Sequence, residues 1–166
     1  MKRLNLLFIM TFFVSLTAFG QSAEFPTTAN VYDLQGKRVD LKDYVKNGQP
    51  TLISFWATWC KPCKLELSNM AELYPDWQDK YNLEIVAIST DNARTLPKVR
   101  TIVSQKRWDY IILNHPGNEL QTTLNFMTIP ETFLLDGEGK IIYRHSGYVS
   151  GDEYELEEQL EKLLKK

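Results

Sequence analysis

Cys60 and Cys63 are the only two cysteines in this 166-residue chain, and they stand at C-x-x-C spacing. An apolar run, Leu52 to Trp56, leads into them, and a helical pattern starts at Cys60. A thiolate at the first turn of a helix feels the partial positive charge of unpaired backbone N–H groups. That charge favours thiolate over thiol and lowers the cysteine pKa. The second cysteine, three residues on, shares the same helix face. It can therefore attack a mixed disulfide formed at the first, which is the chemistry of a two-electron thiol–disulfide switch. Cys60 is the expected nucleophile, at the helix start and nearer solvent, and Cys63 the resolving thiol one turn deeper.

Three other uses of two cysteines compete with this one. Zinc needs four ligands, or three plus water. The chain has no second cysteine pair, and its two histidines, His115 and His145, are far apart in sequence and read as surface residues. A structural bridge closing so short a loop removes little chain entropy. Inert buried thiols fit poorly with Lys61-Pro62 between them, which implies a shaped, partly exposed turn. Pro62 falls in the first helical turn, where its missing N–H costs little. Trp59 is expected to shape the surface beside Cys60, and Trp56 to lie in the core.

Several elements must hold this motif. Thr51 to Trp56 reads as a buried central strand. In the helix after it, Cys63, Leu67, Met70, Tyr74 and Trp77 form an apolar stripe, and Pro75 is expected to kink or break it near Leu73 or Tyr74. Leu83 to Ser89 is the next strand, parallel to the first by a right-handed crossover. Asp91 or Asn92 is expected to cap a helix over 94–106, with Tyr110 to Leu113 a third strand and Asn118 capping a short helix with Leu120 and Leu124. Upstream, Gln21 to Thr28 reads as an exposed lead-in. Val31–Leu34 and Lys37–Asp40 read as a hairpin, with Leu41–Val45 a short turn. Thr132–Leu135 and Lys140–Arg144 form a second hairpin across Asp136-Gly137-Glu138-Gly139. Ser150 and Glu153 have capping-box spacing ahead of a last helix with Leu156, Leu160, Leu163 and Leu164 on one face.

Met1-Lys2-Arg3 followed by an apolar run to Phe19, with small residues at Ala18 and Gly20, is a secretory leader pattern. Cleavage after Gly20 is expected, leaving residues 21–166 as one domain. An uncleaved anchor is the alternative, although the run is short for a full span and interrupted by Asn5, Thr11, Ser15 and Thr17. Loss of Lys2 and Arg3 takes the net charge from −2 to −4, so nucleic acid is not an expected partner. Export places the two thiols in an oxidising compartment, where they stay reduced only with an electron source.

Phe55-Trp56-Ala57-Thr58-Trp59-Cys60-Lys61-Pro62-Cys63 resembles the active-site segment of thioredoxin-fold proteins. Thr128-Ile129-Pro130-Glu131-Thr132-Phe133 resembles the loop that carries their cis-proline. Leu65-Glu66-Leu67 is similar to the exported TlpA/ResA-like branch of the redoxin and AhpC/TSA superfamily, the cytochrome c maturation type, in which a glutamate follows the second cysteine by three residues. The resemblance covers about Phe25 to Lys166. It implies an α/β thioredoxin-like fold: a central mixed β-sheet flanked by helices, with an N-terminal β-hairpin and an extra helix–strand insertion before the cis-Pro loop. The 70 residues from Cys60 to Pro130 leave room for that insertion.

The resemblance also implies roles. Pro130 would be cis and face the dithiol. Ile129, Pro130, Trp59 and Pro62 would contact substrate, with the Ile129 backbone pairing to an extended segment. Plain thioredoxins have a buried aspartate in the strand before the motif, where this chain has Ser54. The proton-accepting role would pass to Glu66, one turn beyond Cys63 on the same side, with its pKa raised by burial. The implied activity is reduction of disulfides in other exported proteins, apocytochrome c among them, by a periplasmic monomer. A membrane thiol reductase would donate the electrons, and no cofactor or metal beyond the Cys60–Cys63 pair is expected. Two alternatives remain: a thiol peroxidase of peroxiredoxin type, and a non-catalytic thioredoxin-like binding module.

Overall fold

The computed structural model describes residues 23–164; the leader expected at residues 1–20 lies outside them. Thr51–Trp56 (β3) is buried at all six positions. Strand alternation sends successive side chains to opposite faces. Leu52 and Trp56 therefore join one core layer, and Ile53 and Phe55 the other. Lys61–Tyr81 (α2) follows, then Glu84–Ser89 (β4), which lies parallel to β3 in register from Thr51–Glu84 to Trp56–Ser89. Leu96–Lys106 (α3) crosses to Ile111–Asn114 (β5), parallel to β4. Glu119–Thr123 (α4) completes the segment ahead of the proline loop. Glu131–Leu135 (β6) and Ile141–Ser146 (β7) return antiparallel, with β6 against β3.

Val31–Tyr32 (β1) and Arg38–Val39 (β2) form the N-terminal hairpin, and Lys42–Val45 (α1) the short turn after it. The seven-stranded mixed sheet has the order β2-β1-β5-β4-β3-β6-β7. Asp152–Leu164 (α5) packs on α2 by burying Leu156 and Leu160. This is the expected thioredoxin-like architecture.

Six local expectations need correction. Asn118 precedes α4 without a side-chain cap hydrogen bond. Helix α2 runs unbroken through Pro75, because the buried stripe continues beyond it in Trp77 and Tyr81. The N-terminal lead-in is partly sheet-bound. The N–H of Phe25 donates to the Gly139 carbonyl, and its buried ring meets Phe55 and Phe133. Asn92 caps a 3₁₀ turn at Ala93–Thr95 rather than α3 itself, while Asp91 is buried and turned away from it. The Ser150–Glu153 box does not form as read. Glu153 instead accepts from the Gly151 N–H and the Tyr148 hydroxyl, and Asp152 accepts from the Val149 N–H. Finally, His115 is fully buried, with Nδ1 at 3.0 Å from the Asn30 carbonyl and Nε2 accepting from the Leu120 N–H.

Candidate active site

Cys60 sits at the N-cap of α2 in extended backbone (φ −79°, ψ 106°), and its sulfur accepts from the Cys63 N–H at 3.2 Å. A sulfur in this position receives one of the helix's orphan N–H groups and the positive end of its dipole. Cys60 and Cys63 are joined as a disulfide. Cys60 keeps 4% of its surface exposed and Cys63 none, so access to the pair is through Cys60. Lys61 and Pro62 fill the first two helical positions, both exposed, and Trp59 is 71% exposed beside them.

The turn before Cys60 is fastened from below. Asp91, at the end of β4, accepts from the Thr58 N–H and the Thr58 hydroxyl, each at 2.7 Å, and from Ser89 Oγ at 2.8 Å. Asn114 on β5 donates to the Asp91 and Ser89 carbonyls. Lys64 Nζ reaches back to the Thr58 carbonyl at 2.9 Å. Thr58 and Asp91 were not singled out as site residues from sequence. The signal available was an acid at the C-terminal end of a strand parallel to β3, which fits a cap as readily as a clamp.

The opposite wall is the proline loop. The Ile129–Pro130 peptide bond is cis, and the Ile129 carbonyl lies 3.8 Å from Cys60 Sγ. Reduction of the pair leaves a Cys60 thiol facing that carbonyl. Pro130 is buried, Ile129 half-buried and Met127 fully exposed. The Pro130 carbonyl accepts from Gly147 N–H at 2.9 Å, joining the loop to the segment after β7.

Glu66 shares the buried face of α2 with Cys63 and is 1% exposed. Its carboxyl accepts from Ser54 Oγ at 2.9 Å and Thr132 Oγ1 at 2.8 Å. Ser54 and Thr132 are direct partners across the β3–β6 ladder, so the pleat aims both hydroxyls at α2. Burial pushes the Glu66 pKa up to about 7 from an ordinary 4.5; the two hydroxyls oppose that rise, and the charges of Asp152 and Glu131 add to it. Thr132 was also missed from sequence, although it lies two residues beyond Pro130 on the strand that must pair with β3. Above this layer the Tyr110 hydroxyl donates to the Leu67 carbonyl, and burial raises its pKa.

The structure thus brings Cys60, Cys63, Trp59, Pro62, Ile129 and Pro130 to one end of the sheet, with Glu66 beneath them. Neither His115 nor His145 joins them: His145 pairs with Asp152 at 3.0 Å. No group of three or more histidine, cysteine or acidic side chains is placed to hold a metal among the described residues.

A dithiol that closes to a disulfide on this fold puts the protein in the class of thioredoxin-fold thiol–disulfide oxidoreductases. The chain belongs to the AhpC/TSA family, whose sequence profile matches residues 20–144. It is 37% identical over 136 residues to the thiol-disulfide oxidoreductase ResA of Bacillus thuringiensis subsp. konkukian, a match spanning 82% of this chain and 72% of that protein. It is 33% identical to the thioredoxin-like protein YneN of Bacillus subtilis, over 74% of this chain and 69% of that one. Among solved structures, a thioredoxin-like protein from Porphyromonas gingivalis superposes with a TM-score of 0.74 at 35% identity, covering 85% of this chain and 92% of that one. No helix among the described residues is long and apolar enough to cross a membrane.

Proposed function

We propose that this oxidoreductase is exported and reduces disulfides in other exported proteins, with Cys60 as nucleophile and Cys63 as resolving thiol. The observation that carries this is the Cys60 sulfur at the α2 N-cap, accepting the Cys63 N–H and facing the Ile129 carbonyl. In the reduced enzyme the Cys60 thiolate attacks one sulfur of a partner disulfide. That S–S bond breaks, the partner's other sulfur leaves as a thiolate, and a mixed disulfide forms. Cys63 then loses its proton and attacks Cys60 Sγ, releasing the second partner thiol and closing the Cys60–Cys63 bond. Two electrons pass to the partner. A membrane thiol reductase returns the pair to the dithiol state.

Glu66 serves the second step. A buried carboxyl with a pKa of about 7 can accept the Cys63 proton and return it at neutral pH. Ile129 and Pro130 bound one side of Cys60, and Trp59 and Pro62 the other, and together they receive the extended segment around the partner's disulfide. The basic, apolar leader at Met1–Gly20 supports export. The position of Glu66 after Cys63, as in the cytochrome c maturation branch the chain resembles, supports apocytochrome c as a substrate.

The test is trapping. Cys63→Ser keeps nearly the same shape but cannot attack sulfur, so the mixed disulfide on Cys60 should accumulate. Loss of an intramolecular thiol held one helical turn away removes a large effective concentration. Non-reducing separation of extracts, with mass spectrometry of shifted bands, should show adducts of exported cysteine proteins, and haem-motif proteins among them would identify the pathway. Cys60→Ser should trap little. No Cys63→Ser adduct, with peroxide consumed instead, would overturn the proposal.

A further inference from the structure

A groove opens beside the disulfide between α2 and α3. Lys61, Lys64 and Leu65 line it from α2, and Ile102, Gln105 and Lys106 from α3. Its volume is about 420 Å³, and its walls carry three lysines and no carboxylate. The chain as a whole is acidic, with 21 acidic against 19 basic residues. Helix α5, on the other side of α2, carries Asp152, Glu153 and Glu155 in its first turn. Positive charge is therefore concentrated on the one side of the active-site helix that faces this groove. Among the described residues, Lys46, Lys80 and Lys162 form ion pairs with carboxylates; the three groove lysines do not, nor do Lys37, Lys42, Lys98 and Lys140, which are not part of this groove. Lys64 is held by the Thr58 carbonyl, which fixes its ammonium near the motif without neutralising it. Leu65, 47% exposed, supplies an apolar floor.

We propose that this groove docks an acidic segment of the partner protein, lying next in sequence to the disulfide being reduced. This rests on the reductase function proposed above and adds the partner's chemistry to it. Lys61 directly follows Cys60, and Lys64 comes one turn later, so a chain whose disulfide meets Cys60 has one flank against Ile129 and Pro130 and the other over the lysines. Unpaired cations in a concave site attract an opposite charge over about a Debye length, roughly 8 Å at physiological salt. The benefit is principally in encounter rate and orientation.

The experiment uses the reduced protein and matched disulfide-bonded peptides with acidic, neutral or basic residues flanking the cysteines. At low salt the acidic peptide should be reduced about tenfold faster than the basic one, and the difference should shrink as salt rises. Lys106→Glu, far from the sulfur chemistry, should slow the acidic peptide about fivefold and leave the neutral peptide unchanged. Lys106→Gln should have a smaller effect. Lys140→Glu, in the β6–β7 turn at the other end of the sheet, makes the same change in net charge and should have no effect. A parallel arm measures binding of a cysteine-free acidic peptide to the oxidised protein, where Lys106→Glu should weaken affinity by a similar factor. Equal rates for acidic and basic peptides, or equal effects of the Lys106 and Lys140 variants, would overturn the groove. If no peptide is reduced, the reductase proposal falls, and the binding arm still decides the groove.

Discussion

Glu66 and Glu131 are both 1% exposed, and they sit on either face of the same sheet. Glu131 follows Pro130 on β6 and pairs with Arg144, while Ser146 Oγ donates to it at 2.6 Å. Glu66 has only the hydroxyls of Ser54 and Thr132, and among the described residues no cation pairs with it. A buried carboxylate needs a compensating charge or several hydrogen bonds, or it keeps its proton. Arg144 gives Glu131 a structural partner. The same guanidinium donates to the Leu124 and Asn125 carbonyls and lies over the Phe133 ring, so it fastens the chain on both sides of the proline loop. Without such a partner, Glu66 titrates near neutrality. Burial is equal at the two sites, and they differ in their partners: a guanidinium at Glu131, two hydroxyls at Glu66.

The largest effect should come from removing the charge at Glu66. A carboxyl whose folded pKa stands above its unfolded value binds its proton more tightly when folded. Its contribution to stability is therefore full below about pH 4.5 and declines as pH rises through about 7. A shift of that size corresponds to about 3 kcal/mol. Glu66→Gln keeps the shape and removes the titration. Relative to the natural protein, the variant should gain about 3 kcal/mol between pH 5 and pH 9 in urea unfolding of the oxidised form. A pH-independent difference would mean that Glu66 is not the titrating group. In the same variant, reduction of protein disulfides should slow at neutral pH, where the proton carrier is lost.

Next in size is the other arm of the comparison. Arg144→Leu leaves Glu131 buried without its cation. Removing one member of a fully buried pair costs 3–5 kcal/mol, and the Arg144 side chain is 40% exposed, so about 2 kcal/mol is expected at pH 7. A second change, Glu131→Gln, should recover part of it. If Arg144→Leu unfolds within about 0.5 kcal/mol of the natural protein, the pair does not set the stability of this face.

This contrast marks how far the sequence could be read. The dithiol motif, β3, the apolar stripe of α2 and both hairpins follow from spacing and periodicity within short windows. Glu66 follows from the family resemblance, in which a glutamate comes three residues after the second cysteine, and helix geometry adds only that it lies one turn past Cys63. Its partners do not follow, because Ser54 and Thr132 meet only through the β3–β6 ladder, and register between distant strands is not a local property. Asp91 has the chemistry of a helix cap, and only the approach of Thr58 turns it into a clamp. His115 reads as a surface residue in sequence, with no partner in view, yet the Asn30 carbonyl and the Leu120 N–H satisfy its ring inside the protein. Pro75 disfavours a helix locally, and the packing of Trp77 and Tyr81 overrides it.

The smallest effect tests how finely Glu66 is set. Ser54 Oγ donates to the carboxyl and favours its ionised form, against the burial that favours the neutral one. Ser54→Ala removes that donor from a fully buried strand position, where no water can easily replace it. The Glu66 pKa should therefore rise further. A hydrogen bond to a charged acceptor contributes about 1.5–3 kcal/mol, but Thr132 remains, and the neutral acid loses a neighbour as well. The pH-dependent part of the loss should be about 1 kcal/mol, appearing above pH 7 and absent at pH 5. Carboxyl carbon chemical shifts of Glu66 followed across pH would give the pKa directly, and the reductase pH profile should move upward with it. A fall in the Glu66 pKa in Ser54→Ala would show that the serine accepts from the neutral acid instead. Thr132 would then be the sole hydroxyl holding the carboxylate charge.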